Sequence, residues 1–310
     1  MARSHSSLSR FWRKRKPVVL WVGGLVLLVL VLLVISRLAS GGVSSPTGVQ
    51  ADKQAQADHS HADEVFSDIK QLIEAHYAAV GGRNKLKSLN SLRLDGNYIT
   101  PDGTELGLTV IKKQPFRIRI TLKRDKVDMV TGYDGEDGWQ AIMRDGLAYR
   151  IQDLDGDEEA ALRQDAEIHN LLYNYGVRGY KLENPELVET ESGPAYKVAV
   201  TDHNGELERI YFLDKDTLLE AQSIQTRPQE DGEVRFKIVY EDYRDVEGMQ
   251  LPFKVTTYRN DELFSVMEIT SMDLNVGVLN QAFRKPDLAP RAQEQNEDQE
   301  AREAAGEQEG

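Results

Sequence analysis

The chain changes its hydrophobic rhythm three times. Residues 17–36 are twenty positions without a charge, dominated by Val and Leu. At helical rise they span roughly 30 Å, the thickness of a bilayer's hydrocarbon core, and predict a transmembrane helix. From Asp63 onward the apolar positions Phe66, Ile69, Ile73, His76, Tyr77 and Val80 recur at three- and four-residue steps. That spacing predicts one amphipathic helix, capped by Asp63 and stopped at Gly81-Gly82. His76 lies on its apolar face and reads as a core histidine. A short helical turn over 84–89 then leads into the third regime, where the period falls to two.

That regime is a β-rich body. Leu92, Leu94, Gly96 and Tyr98 alternate with Arg93, Asp95 and Asn97, and Pro101-Asp102-Gly103 turns the chain. Leu106, Leu108 and Val110 alternate in the next strand, up to Lys112-Lys113-Gln114-Pro115. The sharpest alternation follows: Phe116, Ile118, Ile120 and Leu122 share one face, and Arg117, Arg119, Thr121 and Lys123 the other. One face is expected to be wet and the other to cover something apolar, with Val127, Met129 and Tyr133 continuing the apolar side. Tyr133-Asp134-Gly135-Glu136-Asp137-Gly138-Trp139 reads as a tight hairpin. Asp134-Gly135 supplies its positive backbone angles, and Tyr133 and Trp139 are expected to bury a common face. Strands over 139–143 and 147–151 complete this meander.

One insert interrupts the sheet. Asp153-Leu154-Asp155-Gly156-Asp157-Glu158-Glu159 is an acidic loop, and 160–175 is helical by composition, with Leu162, Ala166, His169, Leu172 and Tyr173 on one face. Gly176 and Gly179 end it. Seven further strands are predicted over 187–191, 195–201, 207–213, 219–226, 234–243, 253–259 and 263–272. Turns at His203-Asn204-Gly205, Asp214-Lys215-Asp216 and Glu247-Gly248 separate several of them. The class is mainly β (α+β).

Charge changes the picture at both ends. The first 40 residues carry seven Lys or Arg and no acid, whereas the remaining 270 of the 310 carry 31 basic and 51 acidic residues, a balance of −20. Such a domain repels nucleic-acid phosphates, which excludes DNA and RNA as partners. The basic segment 1–16 ahead of the apolar run keeps the N-terminus in the cytoplasm and sends the rest outward. A cleaved signal peptide is the rival reading, but its apolar core is shorter, about 7–15 residues, and here Arg37 stands just before Ala39. Residues 37–62 are rich in Gly, Ser, Ala, Gln and Asp and read as a flexible linker with a reach of roughly 25–30 Å. Residues 287–310 form an acidic tail expected to be disordered. There is no cysteine, so no disulfide, thiolate metal site or lipidated thiol can form.

Candidate chemistry is sparse. His59 and His61 sit in the linker between Asp58 and Asp63 and lack pre-organisation for a metal. Asp153, Asp155 and Asp157 resemble the start of a calcium loop. Glu158 stands where that loop needs Gly and Gln164 where it needs Glu, so the acids are read as a helix start. There is no Gly-x-Ser-x-Gly, no phosphate-cradling glycine loop and no His-Glu-x-x-His. His169 beside Asp165 is the best acid–base pair available. Neither a catalytic residue, a cofactor nor a metal is assigned, and the chain reads as a binder.

The run Ile111-Lys112-Lys113-Gln114-Pro115, the strand after it, and the hairpin from Tyr133 to Trp139 resemble the LolA/LolB-type outer-membrane lipoprotein-sorting family. Ala78-Ala79-Val80-Gly81-Gly82-Arg83 and Glu208-Arg209-Ile210-Tyr211-Phe212-Leu213-Asp214 are also similar to its members. The resemblance covers roughly 63–286. It implies an incomplete antiparallel β-barrel closed by helices, with an apolar cavity for lipid or lipoprotein acyl chains. That cavity would be lined by Leu106, Leu108, Val110, Phe116, Ile118, Ile120 and Leu122, with Tyr133 and Trp139 nearby. The family's latching Arg before Pro is Gln114 here, which carries no charge. The expected protein is anchored in the cell inner membrane with its main domain in the periplasm. The alternative is an envelope scaffold or stress-sensing module that binds a protein partner with the same fold.

Overall fold

The computed structural model describes residues 66–229 and 232–290. The basic segment, the transmembrane span, the linker with His59 and His61, the Asp63 cap and residues 291–310 of the tail lie outside the described residues. Among the described residues no helix is long and apolar enough to cross a membrane.

Alternation became strand throughout. After helices α1 (Ile69–Val80) and α2 (Arg83–Ser88) come β1 (Ser91–Ile99), β2 (Glu105–Lys113), β3 (Arg117–Arg124), β4 (Val127–Tyr133), β5 (Gly138–Arg144) and β6 (Leu147–Asp153). Helix α3 (Gly156–Asp165) follows, then β7 (Lys181–Leu182), β8 (Glu186–Thr190), β9 (Gly193–Thr201), β10 (Leu207–Asp214) and β11 (Glu220–Gln229). The last strands are β12 (Gly232–Val246), β13 (Met249–Arg259) and β14 (Glu262–Leu274), before a 3-10 turn at Asn280–Phe283. They join in one antiparallel sheet of order β6-β5-β4-β3-β2-β1-β14-β13-β12-β11-β10-β9-β7, with β8 also on β9. The outermost strands β6 and β7 do not pair with each other, so the sheet stays open.

The sheet is strongly curled. Six strand-to-strand steps separate β2 from β10, about 29 Å on a flat sheet. Lys112 of β2 and Arg209 of β10 nevertheless line one cavity. The concave face carries two cores. Under α1, Leu72, Ile73 and Tyr77 pack on Tyr196, Val198, Tyr211, Leu213 and Met249. Under α3, Leu162 and Ala166 pack on Tyr98, Leu106, Leu108, Val110, Ile118, Leu122, Met129 and Tyr133.

Two helical expectations are corrected. Helix α1 is capped by Asp68, whose carboxylate accepts from Lys70 N at 2.7 Å, because the chain at 66–68 is still extended. The helix expected over 160–175 spans Gly156–Asp165, so most of the acidic loop is helix. Beyond Ala166 the Asn170 side chain accepts from the backbone N–H of Leu172 and Tyr173, at 3.0 and 3.2 Å. A local side-chain acceptor of this kind favours turns over helix. Residues 166–180 are therefore a coiled strap across the mouth of the barrel.

The largest correction concerns Trp139. Tyr133 pairs with Gly138 across a four-residue loop, closed by Asp134 N to Asp137 O at 3.2 Å. Trp139 then faces Gly132, the neighbour of Tyr133, and adjacent residues of a strand point to opposite sides. Tyr133 joins the core under α3, whereas Trp139 packs with Val130, Ala141, Met143 and Ala148 on the convex side. That side is not uniformly wet. Trp139 Nε1 donates to Phe283 O at 2.9 Å, Arg119 Nη1 donates to Ala282 O at 3.0 Å, and Ala289 N donates to Ala148 O at 2.7 Å. The C-terminal segment through Ala289 covers the Trp139 patch.

Candidate functional site

The residues expected to line a cavity separate into three environments. Leu106, Leu108, Val110, Ile118, Leu122 and Tyr133 are buried together in the core under α3, with Ile120 against them. Phe116 packs on the same core and also lines two hollows beside it, with the Arg163 guanidinium 5.1 Å from its ring centre. Trp139 is on the other face. Gln114, at the latch-equivalent position, donates from Nε2 to Leu89 O at 3.1 Å, a contact to the segment after α2.

The hollow itself lies nearer the centre of the sheet. Its volume is about 360 Å³, enclosed by α1, the strap and the concave sides of β2, β10, β11, β12 and β13. Tyr77, Val80, Leu86, Leu89, Met249 and Leu251 give it apolar walls. Its floor carries charge: Lys112, Asp165, Arg209 and Glu220 all line it. A groove of about 880 Å³ adjoins it, lined by Phe116, Arg163, Glu158 and Arg227, with Gln164 and Glu167 common to both. A further hollow of about 320 Å³ lies beneath the strap, between Phe116, His169, Tyr173 and Val177.

Strand register places the floor. Lys112 stands opposite Leu92 on β1 and Ile118 on β3, two residues beyond Val110, and therefore points inward with them. On β10 Arg209 precedes Tyr211 on the inward face, and its guanidinium donates to the Gln225 side chain of β11. Arg227, two residues on, donates to Gln164 Oε1 at 3.0 Å and lies 3.8 Å from Asp165 Oδ1. The sequence signal for Lys112 and Arg209 was present: each continues an inward alternation, Leu106-Leu108-Val110-Lys112 and Arg209-Tyr211-Leu213. Charge hid it, because ionised side chains are ordinarily assigned to solvent.

Burial shapes the ionisation of this floor. It pushes the Lys112 ammonium below its ordinary value against the pull of Asp165, and lowers the Arg227 guanidinium in the same way. It raises Asp165, opposed by Arg227, Lys112 and Arg209, so the three cations act on one carboxylate. Glu220 is pushed up to about 7 by burial, although it accepts a hydrogen bond from the Asn170 amide and feels Arg209. His169 is brought down to about 4 by burial, its ring 4.2 Å from that of Tyr173. The Asp165–His169 pair does not form a relay: Asp165 faces Arg227, and His169 packs on Tyr173 within the strap.

The strap is tied down by side chains below it. Tyr77 Oη donates to Leu172 O at 2.6 Å and accepts from Asn174 N at 3.1 Å. Tyr211 Oη accepts from Leu171 N at 3.1 Å, and Lys112 Nζ donates to Glu167 O at 3.1 Å. His76, the expected core histidine, is 2% exposed, with Nδ1 2.8 Å from Leu218 O. Among the described residues no cluster of His, Asp and Glu is placed to hold a metal ion.

The chain matches no protein-family model, and no curated protein is similar to it in sequence. Several solved structures are similar to it, all at low identity. A DUF1329 family protein from Desulfovibrio piger is 13% identical, covers 70% of this chain and 97% of its own, and superposes with a TM-score of 0.47. A putative outer membrane lipoprotein-sorting protein domain from Vibrio parahaemolyticus is 6% identical over 69% and 95%, with a TM-score of 0.46. A LolA superfamily protein from Nitrosomonas europaea is 12% identical over 72% and 99%, at 0.42. At such scores none of them identifies a family or a ligand.

Proposed function

We propose that this chain is a membrane-tethered, non-enzymatic binding protein that holds lipid or lipoprotein acyl chains in its half-barrel, on the periplasmic side of the cell inner membrane. The observation that carries the reading is the hollow of about 360 Å³ between α1 and β13, with Tyr77, Val80, Leu86, Leu89, Met249 and Leu251 as apolar walls. Ligand sites commonly occupy about 300–1,000 Å³. A sheltered methylene contributes about 0.8 kcal/mol, so roughly eight of them contribute about 6 kcal/mol without any covalent step. The charge-free run at 17–36 supplies the tether, and the linker after it restricts delivery to a local hand-over.

The test uses the full chain in a non-ionic detergent with a photoactivatable palmitate, the labelled peptides being mapped by mass spectrometry. Labels on the peptides that carry Val80, Leu89 and Leu251, lost in Val80→Trp where the indole fills the hollow, are the expected result. Labelling confined to 17–36, or none, overturns the reading.

The burial of Leu106, Leu108, Val110, Ile118 and Leu122 in one core under α3 favours a second reading, an envelope scaffold or sensing module that binds a protein. In that case the palmitate labels nothing in the barrel.

A further inference from the structure

The floor of the hollow has more donors than its own acids satisfy. Lys112 and Arg209 line it and Arg227 comes in from the adjoining groove; all three act on Asp165, and Arg209 acts on Glu220. The Glu220 carboxyl is already engaged by the Asn170 amide, and Asp165 approaches Arg227 at 3.8 Å, beyond hydrogen-bond length. Arg209 Nε and Arg227 Nη1 are shut off from solvent and have no hydrogen-bond partner among the described residues. A buried guanidinium N–H without an acceptor is costly, and carboxylate or phosphate oxygens fit its fork. Lys112 and Arg209 line the same cavity as the apolar walls around Val80 and Leu251, and Arg227 lines the groove that adjoins it.

Resting on the acyl-chain reading above, we propose that Lys112, Arg209 and Arg227 form a headgroup subsite for one anionic group, a carboxylate or a phosphate, carried on the acyl chain that fills the hollow. The preferred cargo is thus an anionic single-chain amphiphile. Asp165 holds the three cations in place and restricts the site to a small head with few negative charges. Burial, which keeps Glu220 partly neutral near pH 7, reduces the repulsion such a head would meet.

The experiment is displacement of a fluorescent fatty acid from the full chain in non-ionic detergent. The competitors are palmitate, palmitoyl lysophosphatidic acid, neutral monopalmitoylglycerol and inorganic phosphate. The expected result is that at least one anionic amphiphile competes about tenfold or more better than the neutral one. Palmitate or lysophosphatidic acid alone in that role assigns the head as carboxylate or phosphate. Arg209→Gln and Lys112→Met are expected to weaken competition by the anionic chain by a larger factor than competition by the neutral one, so that the preference shrinks. The wild-type ranking stands even where a variant fails to fold. Equal competition by neutral and anionic chains overturns the headgroup subsite and leaves the acyl hollow intact. Displacement by inorganic phosphate alone, with no amphiphile effective, overturns it in favour of a free anion. Failure of every competitor and of the probe itself overturns the acyl-chain reading with it.

Discussion

The indole of Trp139 lies directly over the backbone of Gly132, its register partner on the neighbouring strand. A β carbon on Gly132 would stand 2.5 Å from Cε2 of that ring. Real β carbons do not approach so closely, so the ring and the missing side chain are complementary. Gly132→Ala is therefore expected to displace the indole and destabilise the protein by about 1–3 kcal/mol. The shift in urea midpoint measures it. An unchanged midpoint would show that the indole has room to move.

The same indole bonds Phe283 O and so anchors the C-terminal segment on the convex face. Trp139→Phe keeps most of the ring and removes the donor, at a cost of about 1–2 kcal/mol. Hydrogen exchange is expected to speed up at residues 280–289, with palmitate labelling of the barrel unaltered. A loss of labelling would return Trp139 to the concave side, where the sequence alone had put it.

That misplacement shows what periodicity can and cannot deliver. The alternation Phe116-Ile118-Ile120-Leu122 gave one correct face because a period of two is a local property of the strand. Carrying a face across a turn requires the length of the loop and the pairing beyond it. The pair Tyr133–Gly138 shifts Trp139 by one residue, and one residue reverses the face. Lys112, Arg209 and Arg227 were invisible for another reason. The inward register of Lys112 and Arg209 was readable, and Arg227 lay just past the strand expected over 219–226, but the acids and amides that make inward charge tolerable come from α3, the strap and strands far away in sequence. The strap itself defeated composition, because Asn170 ties up backbone N–H groups that a helix would have used.

Titration offers a signed test. His169, at about 4, and His76, also lowered by burial, stabilise the fold fully above about pH 6.5, and that contribution is lost as pH falls from there towards their folded values. Glu220 and Glu158, both at about 7, act oppositely. Their contribution is full below about pH 4.5 and is lost as pH rises towards 7, because the buried carboxyl must then ionise. Glu220→Gln cannot ionise. Relative to wild type it is expected to gain about 1–3 kcal/mol between pH 4.5 and pH 8. Urea midpoints at the two pH values check this, and a constant difference would place Glu220 in contact with water.

At the start of α1, Asp68 satisfies a backbone N–H that the helix leaves open. Asp68→Ala is expected to cost about 1 kcal/mol, the usual effect of removing an N-cap. Asp63→Ala, at the cap expected from the sequence, serves as the comparison and is expected to leave the urea midpoint unmoved. The reverse ranking would start the helix at Asp63.

Tyr77 joins the helix, the strap and the hollow. Its ring lines the cavity, meets Tyr173 at 5.9 Å and carries the Arg83 guanidinium 4.6 Å above it. Its hydroxyl holds the strap at two points, Leu172 O and Asn174 N. Tyr77→Phe preserves the ring and deletes both ties. Each bond contributes about 0.5–1.5 kcal/mol, and about 1.4 kcal/mol is a factor of ten in an opening equilibrium. Amides of residues 171–179 are therefore expected to exchange roughly tenfold faster in the variant, with the sheet amides unchanged. If the strap gates the hollow, the bound fluorescent fatty acid leaves faster by a similar factor, because the cavity walls themselves are intact. Faster exchange without faster release would mean that the ligand passes instead through the groove beside Phe116 and Arg163, and the strap would then be a fixed wall.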